Sequence, residues 1–296
     1  MLAKLLRRLL LAQMLLGAGL GWFISHQTEM GYELIALGAL LAPLTINLIL
    51  IVSYAVKSRT PGHPALWWRS VLGEYAACCR VYLLNQPWAK SPQLITPPTG
   101  VPSGIPVVLV HGYLCNHRVW DAMAEHLRQA GHTVLAVDLE PLFTSIDRYA
   151  PIIEETVAEL CRQTGSEKVA LVGHSMGGLA IRAWLRACGP ERVAGIITLG
   201  TPHQGTLIDP HPKTPNGKQM AWHSDWLKAL EASETPHLRS LMQLAITPQD
   251  SIVYPQMEQL LSHTSVMYFP GLGHLELSQD PAARQWVALQ LSGLKS

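Results

Sequence analysis

The chain has 296 residues and is rich in apolar side chains, with 48% hydrophobic and only 15% charged positions. Its formal net charge is +1 and it contains no long basic run, so a nucleic-acid partner is not expected. The five cysteines are an odd number without metal-ligand spacing, which favours free thiols in a reducing compartment over a disulfide framework.

Two apolar segments open the chain. The first covers residues 5–24 and is interrupted near its start by Arg7 and Arg8. The second covers residues 34–56, carries no charge, and is long enough to cross ~30 Å of hydrocarbon as a helix. A short polar segment separates them. The pattern predicts two transmembrane helices that form a hairpin within residues 1–60.

The charges around these segments predict an orientation. Basic residues lie before the first span and after the second: Lys4, Arg7, Arg8, Lys57, Arg59 and Arg69. The connecting segment contains Glu29 and Glu33 but no Lys or Arg, so both ends of the hairpin are expected in the cytoplasm. We therefore expect a multi-pass protein of a bacterial-type inner (plasma) membrane with its C-terminal part on the cytoplasmic side.

A cleaved signal peptide is the alternative interpretation of the first segment, because a basic start before a short apolar stretch has that pattern. No clear A-x-A cleavage site follows it, and the second span would still anchor the protein.

Residues 61–104 are predicted to form a juxtamembrane helix and a Pro-rich linker. Several aromatic side chains there suit the headgroup zone of a bilayer: Trp67, Trp68, Tyr75 and Trp88. The same stretch, residues 66–84, equally suits an amphipathic helix that covers the following domain. Residues 91–106 contain five prolines among Thr, Ser and Gly, which favours an extended linker.

From residue 105 to 296, short β-branched runs alternate with helical patterns. Strands are predicted over 107–110, 133–137, 168–172, 193–199, 241–246 and 265–269, and helices over 120–130, 152–163, 176–187, 226–230 and 281–291. Apolar strands separated by helices are typical of an α/β domain with a parallel sheet buried on both faces. The segment 203–240 is rich in Pro, His and Trp and breaks the alternation, which favours a lid-like insertion.

The run Gly173-His-Ser-Met-Gly177 lies between a predicted strand and a predicted helix. A serine on such a sharp turn has its Oγ pushed out above the sheet edge, and the flanking positions must be small because neighbouring backbones come close. The N-terminus of the helix behind it supplies free N–H groups. The pattern predicts Ser175 as a nucleophile, with a structural glycine-rich turn as the alternative.

A second N–H for a developing oxyanion usually comes from the loop after an earlier strand. Residues His111-Gly-Tyr113 follow the strand 107–110. We therefore predict an oxyanion hole made of the backbone N–H groups of Tyr113 and Met176.

The base and its orienting acid are selected by position. His274 follows the strand 265–269 and Asp250 follows the strand 241–246, so both lie at carboxyl ends, in the order acid then histidine. His263 precedes its strand, Asp280 follows His274, and Asp138 precedes the serine, which makes them weaker candidates.

The insertion also carries a group of metal-ligand residue types: His203, Asp209, His211, His223 and Asp225. Their spacing matches no ligand motif, so we interpret them as solvated residues of the insertion. No metal and no other cofactor is predicted.

From about Pro106 to its end the chain resembles the α/β-hydrolase superfamily, and specifically bacterial lipases and esterases. The residues that carry the resemblance are His111-Gly-Tyr113, Gly173-His-Ser-Met-Gly-Gly178, Thr198-Leu-Gly-Thr-Pro-His-Gln-Gly-Thr206, Asp250 and Gly273-His274. The Thr-Pro-His-x-Gly piece is shared with lipases and with the lipid-remodelling deacylases similar to them.

The resemblance implies a mostly parallel sheet with helices on both faces and a lid. It also implies Ser175 as nucleophile, His274 as base and then acid, and Asp250 as the group that orients the imidazole. The chain departs from the family pattern by its membrane hairpin and by the lack of a recognisable disulfide pair.

Taken together, these features predict a membrane-anchored serine carboxylester hydrolase with lipids or other acyl esters as substrates and the bilayer as a partner. An acyltransferase or lipid-remodelling deacylase with the same triad is the main alternative. A non-enzymatic membrane scaffold that keeps the fold is a second one.

Overall fold

The computed structural model describes residues 1–28, 30–90, 96–100 and 102–294. The chain begins with helices α1 (Leu2–Gln27) and α2 (Glu33–Lys57), which pack antiparallel as a hairpin. A Cβ on Gly17 would overlap the carbonyl oxygen of Gly38, and a Cβ on Gly21 would overlap that of Leu34. Glycine therefore lets the two backbones touch, as small residues do between helices in membranes.

The outer faces of α1 and α2 are apolar and exposed. Only 11% of the most apolar window of each helix is buried, and both helices are long and apolar enough to cross a membrane by length and composition. A core helix of a soluble domain is mostly buried, so these two helices differ from one. A signal sequence near the N-terminus would be equally long and apolar.

Helix α3 (Pro64–Cys78) continues into a wider helical turn, Cys79–Asn85, and a short turn, Gln86–Trp88. Its inner side chains, Val71, Ala77 and Cys78, are buried in one core with the strands of the sheet. The segment therefore packs as an amphipathic helix on the domain, while Trp68 and Trp88 stay exposed. The predicted linker 91–106 lies partly outside the described residues.

A six-stranded parallel sheet forms the centre of the remaining chain, in the order β2-β1-β3-β4-β5-β6. Its strands are β1 (Val107–Val110), β2 (Val134–Val137), β3 (Val169–His174), β4 (Val193–Leu199), β5 (Met242–Ile246) and β6 (Ser265–Tyr268). The helices are α4 (Asp121–Gln129), α5 (Ala150–Thr164), α6 (Met176–Cys188), α7 (Pro215–Gln219), α8 (Asp225–Ala232), α9 (Pro236–Ser240) and α10 (Pro281–Ser292). All six predicted strands are present.

Two cores cover the two faces of the sheet. Successive residues of β3 alternate between them because side chains on a strand point to opposite faces. Leu171 lies in the core shared with α5, α6 and α8, whereas Ala170 and Val172 lie in the core shared with α3, α4 and α10. The expected parallel sheet with helices on both faces is what the chain forms.

The insertion between β4 and β5 contains α7, α8 and α9. The interpretation of His203 as a solvated residue is wrong. Its side chain is buried, with Nε2 3.0 Å from Thr198 Oγ1 and Nδ1 3.3 Å from Arg182 Nη1. The chain turns back at the end of β4 there, so His203 packs on α6 instead of extending into solvent. Asp225 and His211 are exposed, as expected.

Candidate active site

The loops that carry the candidate residues meet at one edge of the sheet, because parallel strands have their carboxyl ends on the same side. The chain runs outward from β1 to β2 and then returns to place β3 on the other side of β1. Such a switch point in strand order is where α/β sheets bind ligands. Ser175 follows β3 and Tyr113 follows β1, directly at this point.

Ser175 sits on a sharp turn between β3 and α6. Its backbone angles are φ 54° and ψ −128°, a conformation that non-glycine residues rarely adopt. Its N–H donates to the Leu199 carbonyl at 2.8 Å, which ties the turn to the end of β4. A Cβ on Gly177 would overlap the Val110 carbonyl oxygen, so only glycine allows α6 to start this close to β1.

His274 and Asp250 are in direct contact. His274 Nδ1 lies 2.7 Å from Asp250 Oδ2, and both side chains are buried. The other oxygen, Asp250 Oδ1, accepts the N–H groups of Ile252 at 2.8 Å and Val253 at 2.7 Å. The carboxylate is therefore held by its own loop, which leaves Oδ2 for the imidazole and His274 Nε2 free to accept a proton.

Charge near His274 favours its protonated form. Burial alone would lower the pKa of His274, but the carboxylate of Asp250, through its charge and hydrogen bond, raises that pKa above its ordinary value, and Glu74 adds to the effect. The adjacent His174 behaves in the opposite way, because burial and the charge of His274 lower its pKa to about 3. His174 is thus neutral at physiological pH.

His174 links the serine turn to the histidine loop. Its Nε2 lies 3.0 Å from the His274 carbonyl oxygen, which accepts the proton of the neutral ring, and the two imidazole centroids are 4.8 Å apart. Within the part of the chain that the structure describes, Ser175 Oγ makes no hydrogen bond, and Ser175 directly follows His174, whose ring contacts the histidine loop. Catalytic hydrogen bonds are often long in enzymes without substrate.

The loop after β1 reaches the serine. A Cβ on Gly112 would lie 2.8 Å from Ser175 Cβ, so the loop backbone runs directly against the side chain. Within the part of the chain that the structure describes, the N–H groups of Tyr113 and Met176 donate no hydrogen bond. His111 shapes this loop, since its Nδ1–H donates to the Gly112 carbonyl at 2.9 Å and its Nε2 accepts the Leu139 N–H at 2.9 Å.

A cavity of about 710 Å³ opens at Ser175 and Tyr113. The insertion contributes one wall, which includes Ile208 and Met220, and helix α2 contributes Tyr54 and Lys57. This volume lies in the range of ligand pockets, roughly 300–1,000 Å³.

The structure places the weaker candidates elsewhere. Asp138 contacts His117, with Oδ2 3.0 Å from Nδ1, and Asp280 caps α10 by accepting the Ala282 N–H at 2.8 Å. Across residues 1–28, 30–90, 96–100 and 102–294, no group of three or more His, Cys, Asp or Glu is arranged to hold a metal ion.

The sequence did not point to Glu74, which is a lone acid in an apolar helical stretch. In the structure the Glu74 carboxylate contacts the loop that carries His274.

Comparison with known proteins supports the fold. Residues 105–230 match a family model described as the alpha/beta hydrolase fold. A triacylglycerol lipase from Burkholderia plantarii is 33% identical over 127 residues, which is 40% of this chain and 35% of the lipase. One from Pseudarthrobacter phenanthrenivorans is 34% identical over 110 residues, 34% of each chain. The chain thus spans about a third of the length of these relatives.

Solved structures share the same architecture. A Bacillus licheniformis lipase in its mature form superposes with a TM-score of 0.59 at 17% identity, covering 68% of this chain and 99% of the lipase. Aspergillus fumigatus lipase B gives a TM-score of 0.57 at 16% identity, covering 68% of this chain and 56% of that one. The chain therefore contains the α/β-hydrolase fold with a parallel sheet, and this part of the fold prediction is confirmed.

Proposed function

We propose that the protein is a serine carboxylester hydrolase of the lipase/esterase type that acts on acyl esters. The observation that carries the proposal is the buried His274–Asp250 pair at the same edge of the sheet as a serine held at positive φ. An activated hydroxyl needs a base within reach and a group that orients that base. Similarity to two triacylglycerol lipases supports ester hydrolysis as the reaction.

In the proposed reaction Ser175 Oγ attacks the ester carbonyl while its proton passes to His274 Nε2. The carbonyl oxygen becomes an oxyanion that accepts the N–H groups of Tyr113 and Met176, each worth about 3–4 kcal/mol in comparable enzymes. His274 then gives the proton to the departing alcohol, and an acyl-enzyme remains. Water, deprotonated by His274, releases the carboxylic acid and restores Ser175.

Lipids are the proposed substrate class. The cavity at Ser175 is bounded by Tyr54 and Lys57, at the end of α2. If α1 and α2 cross a bilayer, this end of α2 lies at the membrane surface, so an acyl ester would enter the cavity from the lipid. The insertion 203–240 covers the opposite wall, and we propose that it acts as a lid.

The proposed location is an inner membrane, with the hairpin anchoring the enzyme and the catalytic part in the cytoplasm. Exposed leucines on α1 and α2 and the basic residues at both ends of the hairpin support this location.

Replacing the nucleophile tests the function. In full-length protein in detergent, Ser175→Ala should lower hydrolysis of p-nitrophenyl esters by on the order of 10⁴-fold or more. The matched control is Ser166→Ala, a serine at the opposite edge of the sheet, which should behave as wild type. Equal rates for wild type and Ser175→Ala would rule out the proposal. With an added lipid or alcohol acceptor, an acylated acceptor in place of free acid would point to acyl transfer.

A further inference from the structure

Helix α3 holds the loop that carries His274 from behind. Glu74 lies on the buried face of α3 and is only 4% exposed. Its Oε1 accepts the N–H of Leu275 and its Oε2 accepts the N–H of Glu276, both at 3.0 Å. One carboxylate thus fixes the two peptide groups that directly follow His274.

Arg69, also on α3, holds the preceding side of the same loop. Its Nη1 donates to the Gly271 carbonyl at 2.7 Å and to the Glu276 carboxylate at 2.8 and 2.9 Å. Glu276 in turn accepts the Gly273 N–H at 2.9 Å. The loop is therefore anchored before and after the histidine by two residues of a single helix.

Two glycines make this approach possible. A Cβ on Gly273 would overlap the Glu74 carboxylate, and a Cβ on Gly73 would overlap the Glu276 carboxylate. Helix α3 and the loop can therefore pack this closely only because Gly73 and Gly273 have no side chain.

We propose that Glu74 and Arg69 are positioning residues for His274, which makes α3 a part of the active site. The inference rests on the proposed function, because it takes His274 as the base. Neither residue contacts Ser175 in the structure, so both act through the loop.

The charge of Glu74 adds a second effect. Burial raises the pKa of Glu74 to about 7, against the lowering effects of His274 and of the two backbone N–H groups. The titratable groups near enough to interact with the charge of Glu74 include His274, Asp250, Cys78, Tyr82 and Cys115, with Cys78 Sγ 3.9 Å from Oε1. A carboxylate at this place favours the imidazolium that forms when His274 takes the serine proton.

The test compares Glu74→Gln, Arg69→Gln and the matched control Glu154→Gln in the full chain. Gln keeps the shape of Glu74 but removes the charge and turns an amide group toward a backbone N–H. We expect a loss of kcat of roughly 10- to 100-fold with KM nearly unchanged, as for a displaced catalytic group. The acidic limb of the kcat/KM profile should move to lower pH. Arg69→Gln should lower kcat by a smaller factor than Glu74→Gln.

Glu154→Gln should match wild type, because Glu154 accepts the Trp184 Nε1–H on the other face of the sheet. An inactive wild type that also fails to react with a fluorophosphonate contradicts the proposed function itself. An active wild type whose folded Glu74→Gln and Arg69→Gln variants keep both kcat and pH profile overturns the role of α3. If Glu74→Gln does not fold, the test rests on Arg69→Gln, because the Arg69 side chain is half-exposed. A folded Arg69→Gln variant with wild-type kcat overturns the inference. A folded variant with a lower kcat supports it.

Discussion

Ser175 and Asp250 show how much a single residue at this site depends on its immediate backbone. Ser175 is held at φ 54° by a turn that the Leu199 carbonyl and the start of α6 determine. Asp250 accepts two N–H groups of its own loop with one oxygen and His274 with the other. Such a carboxylate cannot rotate without losing three hydrogen bonds, and it therefore fixes the orientation of the imidazole.

Asp250→Asn should lower kcat by on the order of 10³- to 10⁴-fold, since an amide can turn its NH₂ toward Nδ1 and favour the tautomer with a protonated Nε2. The pH profile should change as well. Because the proposed mechanism needs neutral His274, wild-type activity should rise with pH through a pKa above the ordinary value.

Without the charge of Asp250 that pKa falls, so the acidic limb of the variant should lie at lower pH. Stopped-flow or spectrophotometric ester hydrolysis between about pH 5 and 9 measures both effects. Asp225→Asn, at the exposed start of α8, is the matched control. If the acidic limb of the Asp250→Asn profile lies at the same pH as in wild type, the charge of Asp250 does not raise the pKa of His274.

At the scale of elements, the insertion is joined to helix α6 by buried charges. Arg182 of α6 is 0% exposed, and Glu234, between α8 and α9, receives its Nε at 2.5 Å and its Nη2 at 3.0 Å. Arg239 of α9 donates to the same carboxylate at 3.2 Å. The part of the insertion around Glu234 and Arg239 is therefore held against α6.

Glu234→Gln should destabilise the protein by about 3–5 kcal/mol, because it leaves the charge of Arg182 buried without an ionised partner. For a domain of this size the melting temperature should fall by roughly 10 °C. Differential scanning fluorimetry in detergent measures the change. Glu231→Gln is the control: its more exposed carboxylate lies 3.3 Å from Arg239, and its loss should cost less than about 1 kcal/mol. Equal melting temperatures for the two variants would contradict the assignment.

At the scale of the whole molecule, the hairpin and the domain are connected through both ends of the hairpin. Leu2 at the start of α1 is buried, and Ile51 and Ala55 near the end of α2 lie in the core that contains α3. The start of α1 and the end of α2 therefore both meet the domain. A bilayer around α1 and α2 would place the cavity at Ser175 close to its surface.

A reporter fused to the C-terminus should show a cytoplasmic location, with a fluorescent protein that folds there and an alkaline phosphatase that stays inactive. The physical reason is the excess of Lys and Arg at both ends of the hairpin. A phosphatase fused after Gly31, between the helices, is the matched control and should be active. Phosphatase activity at the C-terminus would contradict the proposed orientation.

The sequence by itself determined the features that depend on local pattern. Apolar runs of strand length and their alternation with helices predicted six parallel strands, because hydrophobic periodicity follows directly from which faces are buried. The small residues around Ser175 were predictable for a similar reason, since only glycine fits where α6 starts against β1. Asp250 and His274 were selected by their places after strands, and their contact at 2.7 Å agrees with that choice.

Only the tertiary structure decided which distant residues support the site. Glu74 and His274 are separated by 200 positions, and no periodicity relates them, because their contact arises from the packing of α3 on a loop at the far end of the chain. His203 was misinterpreted for the same reason: its burial depends on how the chain turns over β4 and on Arg182 of another element. Local pattern determines elements and their order, whereas burial and electrostatic environment depend on neighbours brought together by folding.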